Sequence, residues 1–104
     1  MLWVLEEMGA KAEVKTLPFP PRKLQPEYLA LNPNGLIPVL VDDEPRGAGS
    51  APLVLYETAA ICLHLADTHA TPALLPALAT RERAHAYKWL AWCANTLHAT
   101  MSHY

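Results

Sequence analysis

Two short stretches of this 104-residue chain bring together residue types able to hold a small molecule. The first runs Asn32-Pro33-Asn34-Gly35-Leu36-Ile37-Pro38-Val39-Leu40-Val41, a turn that feeds an X-Pro bond at the entrance of a strand. Pro38 has no backbone N–H, so the main-chain groups left to pair here are those of Ile37, whose N–H and C=O can bind an extended ligand as an added strand would. Only about one X-Pro bond in twenty is cis in folded proteins, so the residues alone leave the isomer open. The second stretch, Leu53-Val54-Leu55-Tyr56-Glu57-Thr58-Ala59-Ala60-Ile61, is a strand whose end passes directly into a helix with Glu57-Thr58 at its mouth. A helix start exposes unpaired N–H groups and the positive end of a dipole, which attract a carboxylate. Thr58 adds a hydroxyl to that nest, and the Glu57 carboxylate can hold an ammonium beside it. A group bearing both charges on one carbon, the head of an α-amino acid, suits such a site. Taken singly, either residue has a plainer reading: Thr58 caps the helix and Glu57 is a solvated acid.

The other reactive side chains offer less. Cys62 and Cys93 sit in helical apolar patterns without CxxC spacing, which reads as buried, reduced thiols. His64 and His69 are five apart, as are His98 and His103, off the shared face of an i, i+3 or i, i+4 metal pair, and His85 stands alone. No metal site is expected from them; they read as exposed or hydrogen-bonded helix histidines. Tyr87, Trp89 and Trp92 have too few basic neighbours for a nucleotide-stacking platform and read as packing residues. No Ser-His-Asp arrangement, phosphate-binding glycine loop or paired-carboxylate site emerges. With a net charge of −2 and no basic patch, nothing attracts nucleic acid. Neither a signal peptide nor a membrane span is indicated, and a cytoplasmic location is expected. At 52% hydrophobic the chain can bury the core of one domain.

The elements that must position the two stretches follow from pattern. Met1 to Met8 reads as a helix stopped by Gly9, and Ala12 to Leu17 alternates as a strand should. Pro18, Pro20 and Pro21 force a loop; Pro26 to Ala30 suits a short helix, ended by the Asn32-Pro33-Asn34-Gly35 turn. Ile37 to Val41 reads as a strand, Leu53 to Tyr56 as its return, and Asp42 to Pro52 as an exposed, mobile connection. Thr58 to about His69 is the next helix and Thr71 to Ala79 a proline-bounded linker. From Thr80, as N-cap, a long helix carries the apolar stripe Ala86, Leu90, Cys93, Leu97 and Met101, widened by Trp89 and Trp92.

The order NPNGLIPVLVDD, a strand, LYETAAICLHLAD, LLP and then RAHAYKWLAW resembles the amino-terminal half of a soluble glutathione S-transferase, in its bacterial transferase-like branch. The resemblance runs from Met1 to about Tyr104, and the two motifs at this spacing are specific only jointly. It implies an α/β fold: a thioredoxin-like glutathione-binding domain over 1–70, lacking its first strand, a linker over 71–79, and over 80–104 the first helix of an all-helical carboxy-terminal domain. It further implies that the Ile37–Pro38 bond is cis, that the Ile37 backbone pairs with the cysteinyl unit of glutathione, and that Glu57 and Thr58 hold its γ-glutamyl end. Thr58 stands where the family more often has Ser, and Leu36 where many members have Lys. The implied co-substrate is glutathione, the implied partner a small hydrophobic electrophile, and the last helix would line a homodimer contact.

The front departs from the family. Its catalytic Ser, Tyr or Cys lies on a strand and loop before the first helix, and this chain opens inside that helix at Leu2-Trp3-Val4-Leu5, so the expected catalytic position lies before Met1 and no catalytic residue is assigned. Trp3 reads as a core tryptophan and Glu6 and Glu7 as solvated acids. The missing strand is central in a thioredoxin-like sheet. Each backbone group that it orphans costs about 1–3 kcal/mol against the roughly 5–15 kcal/mol that holds a domain together, which suggests a piece of a longer product with little or no turnover alone. The alternative is a non-catalytic module that binds glutathione or dimerises.

Overall fold

The computed structural model describes residues 1–17, 25–43, 51–69 and 74–101. Helix α1, Leu2–Met8, ends at Gly9, whose φ of 65° lets its N–H reach the Glu6 carbonyl (3.0 Å) while Ala10 N–H reaches that of Leu5 (3.1 Å). This paired closure is what a glycine stop provides. Trp3 is not a core residue. It lies 78% exposed and donates its indole N–H to Glu7 (3.1 Å), one turn on.

Ala12 to Leu17 form no strand, correcting the expectation from their alternation. Period-two patterning needs a neighbour to pair with, and among the described residues the sheet holds only two strands, β1 Val39–Asp42 and β2 Leu53–Tyr56. These pair antiparallel, with Val39 opposite Tyr56 and Asp42 opposite Leu53. β1 starts two residues later than its apolar run suggests: Ile37 lies in a bend, and Pro38 has no N–H for a ladder. Residues 44–50 of the connection between the strands, and Pro18, Pro20 and Pro21 of the earlier loop, lie outside the described residues.

A two-stranded ribbon is marginal in water and needs a helix on one face. Helix α3, Thr58–Thr68, supplies it. Ile61, fully buried, and Leu65 join Met8 of α1 as a core, against which Val4 and Leu5 pack from α1 and Leu40 and Leu55 from the sheet. Leu40 and Leu55 face each other in the ladder, so one cross-strand pair carries the inner face while Val41 and Val54 point outward.

At the far end of β1 a buried carboxylate ties sheet to helix. Asp42 Oδ2 accepts from His64 Nε2 (2.7 Å) in α3 and from His69 Nε2 (2.8 Å) just past its end. Spacing alone set these two histidines apart; the helix stops at Thr68, and the new backbone direction at His69 (φ −121°, ψ −12°) returns the second ring to the same oxygen.

After the linker, Thr80 caps helix α4, Arg81–Trp92, accepting from Arg83 N–H (3.1 Å) as its position predicts. Arg83 is 4% exposed and forks onto both Asp67 oxygens (2.6 and 2.7 Å), donates to the Pro76 carbonyl (2.8 Å) and to Tyr87 Oη (3.0 Å). One side chain thus joins α4, the linker and α3. The Asp67 hydrogen bonds, acting against burial, hold its guanidinium above its ordinary pKa. The expected continuous helix is interrupted: a π-helical turn, Cys93–Leu97, separates α4 from α5, His98–Met101. Asn95 and Thr96, weak helix formers, sit in that turn. Ala86 and Leu90 are half-buried, whereas Cys93, Leu97 and Met101 are exposed, as are Trp89 and Trp92, which meet edge to face at 5.7 Å. Cys93 is therefore not the buried thiol its pattern suggests, and Cys62 is only half-buried; both are free. No helix among the described residues is long and apolar enough to cross a membrane.

Candidate functional site

The two stretches that the sequence singles out meet because of strand register. Val39 pairs with Tyr56, so the residues just outside the ladder, Pro38 and Glu57, emerge at the same end of the ribbon. The Ile37–Pro38 bond is cis. Ile37 is exposed and lies at the cleft.

Upstream, two side chains hold this segment in place. Helix α2, Pro26–Leu31, carries Tyr28, buried, whose hydroxyl donates to the Leu36 carbonyl; Asn32 Nδ2 donates to the same oxygen at 2.8 Å. Asn32 closes the turn at its other end as well: its side-chain oxygen accepts from Asn34 N–H (3.0 Å) and its carbonyl from Gly35 N–H (2.9 Å). Gly35 has φ 69°, the left-handed conformation that glycine adopts without steric cost. The turn was legible as NPNG, but the part of Tyr28 was not. A tyrosine in a short amphipathic helix gives no sign that its hydroxyl will fasten a carbonyl eight residues on.

On the opposite side, Glu57 rather than Thr58 occupies the N-cap of α3, with φ 78° and ψ 114°, and its side chain makes no capping bond. The reading of Thr58 as a mere cap fails. Thr58 is the first helical residue, and a helix start of this kind carries unpaired first-turn amides that attract an anion. Ile37 and Pro38 line one side of an open cleft and Glu57 and Thr58 the other, with Asn32, Asn34 and Leu36 completing it. The cavity is about 80 Å³. Sites for drug-sized ligands run to roughly 300–1,000 Å³, so this one has room for an end group of a larger molecule. Its lining combines the Ile37–Pro38 segment with a carboxylate, a hydroxyl and a positively polarised helix end. Among the described residues no cysteine or histidine lines it.

Comparison with known proteins agrees with this architecture. The profile described as "Glutathione S-transferase, N-terminal domain" matches residues 1–68. The chain is 41% identical over 70 residues to the disulfide-bond oxidoreductase YfcG of Escherichia coli K12, covering 67% of this chain and 31% of that protein. It is likewise 41% identical over 71 residues to the glutathione S-transferase GstB of the same strain, covering 68% of this chain and 31% of GstB. Among solved structures, a glutathione transferase family member from Pseudomonas fluorescens with two glutathione bound superposes with a TM-score of 0.71 at 34% identity, over 86% of this chain and 37% of that one. A glutathione transferase from Pseudomonas putida with one glutathione disulfide bound per subunit gives 0.73 at 31% identity, over 88% and 38%. The chain spans about a third of the length of the curated relatives it matches. The fold is accordingly a partial thioredoxin-like domain followed by a long carboxy-terminal helical segment. By its profile match over residues 1–68, and by its likeness to these relatives, the chain belongs to the glutathione S-transferase family, through that family's N-terminal domain.

Proposed function

We propose that this chain is the glutathione-holding part of a glutathione transferase, presenting the thiol of glutathione for attack on a small hydrophobic electrophile. The Ile37 N–H and C=O pair with the cysteinyl unit, while the γ-glutamyl end settles at α3, its carboxylate on the first-turn amides and the Thr58 hydroxyl and its ammonium on Glu57. The observation that supports this reading is the Val39–Tyr56 register, which brings the exposed residue Ile37 and a helix N-terminus capped by an acid to one small cleft. The solved relatives that hold glutathione or its disulfide support the same ligand. In this proposal residues 1–70 hold glutathione, 71–79 link, and 80–104 begin an all-helical domain. The exposed Trp89, Trp92 and Met101 then face the remainder of that domain or a second subunit of a homodimer, and the protein works in the cytoplasm.

Calorimetric titration with glutathione tests the assignment. Saturable binding is expected, weakened by Thr58→Ala about 5- to 10-fold, the worth of one hydrogen bond of about 1–1.5 kcal/mol, and kept within about twofold by Thr58→Ser. Glu57→Gln, which removes a charge-assisted bond of about 1.5–3 kcal/mol, costs roughly 10- to 150-fold. Little or no conjugation of a chromogenic electrophile is expected from the 104 residues alone, since no residue in them matches the family's activating position. Unchanged glutathione affinity in the Glu57→Gln, Thr58→Ala double variant would sink the assignment.

A further inference from the structure

Outside the cleft, one constellation combines three metal-ligating side chains from separate places in the fold. Asp42 closes β1, His64 stands in the second half of α3, and His69 lies just beyond its last residue. Their donor atoms, Asp42 Oδ2 and the two Nε2 atoms, all lie within 4.8 Å of one another, with oxygen to nitrogen distances of 2.7 and 2.8 Å. The imidazoles stand nearly perpendicular, 73° between planes with centroids 6.0 Å apart, and each directs its Nε2 at the one carboxylate oxygen. Helical repetition does not produce this. Five residues along an α-helix turn about 140° around the axis, which would aim the second ring away; it converges only because the helix has ended.

We propose that Asp42, His64 and His69 form a binding site for one divalent transition-metal ion, with zinc as the reference metal. Two imidazole nitrogens and one carboxylate oxygen suit zinc, cobalt, iron or nickel, whereas calcium and magnesium prefer all-oxygen shells. A tetrahedral ion with ligand bonds of about 2.0–2.2 Å holds its donors roughly 3.3 Å apart. The oxygen and the two nitrogens therefore need to separate by about half an ångström, and the two nitrogens need close by no more than roughly 1.5 Å, within the reach of side-chain rotation. Three protein ligands leave a position open to water or another small ligand. The Asp42 carboxylate is 8% exposed, while the His64 and His69 side chains are 15% and 30% exposed, so an ion enters from the imidazole side. The site stands apart from the cleft: Ile37–Pro38 precede β1 and Asp42 ends it, and Glu57–Thr58 open α3 while His69 follows it. The ion would clamp strand to helix, doing with coordinate bonds what the shared carboxylate does with hydrogen bonds.

The test is titration of the chelator-treated 104-residue chain with Co²⁺, read by visible ligand-field absorption, followed by Zn²⁺ competition. One equivalent is expected to bind without the near-ultraviolet charge-transfer band that coordination by Cys62 or Cys93 would add. Asp42→Asn, His64→Gln and His69→Gln should each lower affinity at least about 10-fold, the lower bound for loss even of a supporting contact, and His98→Gln should change nothing. His69 lies beyond the helix and is partly exposed, so its variant is expected to keep the circular-dichroism spectrum of the parent and decides the matter if Asp42→Asn unfolds. Zn²⁺, and not Mg²⁺, should raise the melting temperature of the parent but not of His69→Gln. Absence of saturable binding, binding indifferent to His69→Gln, or a thiolate charge-transfer band would overturn the proposal.

Discussion

At the scale of single residues, Glu57 shows most clearly what a sequence conveys and what it conceals. Its place beside a helix start was legible; its backbone conformation was not. A glutamate at φ 78° occupies a sparsely populated region at a cost of about 1–3 kcal/mol, and nothing in the string YETAA announces it. Such strain persists only where the surroundings enforce it, here between the end of β2 and the first turn of α3. Glycine would relieve it, but glycine also loses more freedom on folding, by roughly 0.5–1 kcal/mol. The difference favours the variant by about 1 kcal/mol, so Glu57→Gly should raise the melting temperature by about 4–8 °C while removing the acid proposed to hold the ammonium of glutathione. Thermal melting and titration on the same sample check both halves. A glutamate retained where glycine is more stable is the signature of a residue kept for its side chain. Loss of stability in Glu57→Gly would instead show that the acid supports the fold. Tyr28 and the Asp42, His64 and His69 cluster were hidden for a different reason: their partners are 8, 22 and 27 residues away, and such contacts exist only once β1, α2 and α3 have docked.

At the scale of elements, what could be read ahead is what local chemistry settles. Gly9 stops α1, Pro26 opens α2, Leu53 to Tyr56 form the return strand, and Thr80 caps α4, each as its own residues dictate. Failures came where an element depends on a neighbour or on a balance of weak preferences. Ala12 to Leu17 alternate correctly yet have no strand alongside among the described residues, and the stripe of the last helix gives no hint that Cys93 to Leu97 will widen into a π turn. The cap is the part that can be tested. Thr80 Oγ1 accepts from Arg83 N–H and donates to the Ala77 carbonyl, and the Arg83 side chain it orients reaches back to Asp67 of α3. Thr80→Ala should therefore cost about 1 kcal/mol, the usual worth of such a cap. Because Arg83 joins the two helices, the loss should appear in hydrogen exchange of α3 as well as α4. Faster exchange confined to α4 would mean that the Arg83 fork does not couple them.

At the scale of the whole molecule, the quantity that matters is how little is buried. A compact chain of this length has a radius of gyration of roughly 13 Å, and this one has 15.1 Å, in keeping with a final helical segment exposed along most of its length. Among the described residues the fully closed apolar core is Met8, Ile61 and Leu65, with Tyr28 buried beside the cleft, while Trp3, Trp89, Trp92 and Met101 lie open to solvent. Stability is thus concentrated. Ile61, the most buried of the three, belongs to the cluster against which α1 and the Leu40–Leu55 pair pack, so its truncation opens a cavity inside that cluster. Ile61→Ala should cost about 2–5 kcal/mol, as such truncations do in closed cores. A domain holds only about 5–15 kcal/mol in total, and a small core sits at the low end, so the variant should lose its cooperative melting transition at ordinary temperature. Trp89→Ala removes a far larger side chain, yet it should cost only about 1 kcal/mol, roughly the worth of its edge-to-face contact with Trp92, because the residue is 55% exposed. Near-ultraviolet circular dichroism through a thermal scan separates the two cases. Should Trp89→Ala prove the more damaging, the face of α4 would already be packed in solution, against another copy of the chain, and the stability of the protein would reside in that association rather than in the seam around Ile61.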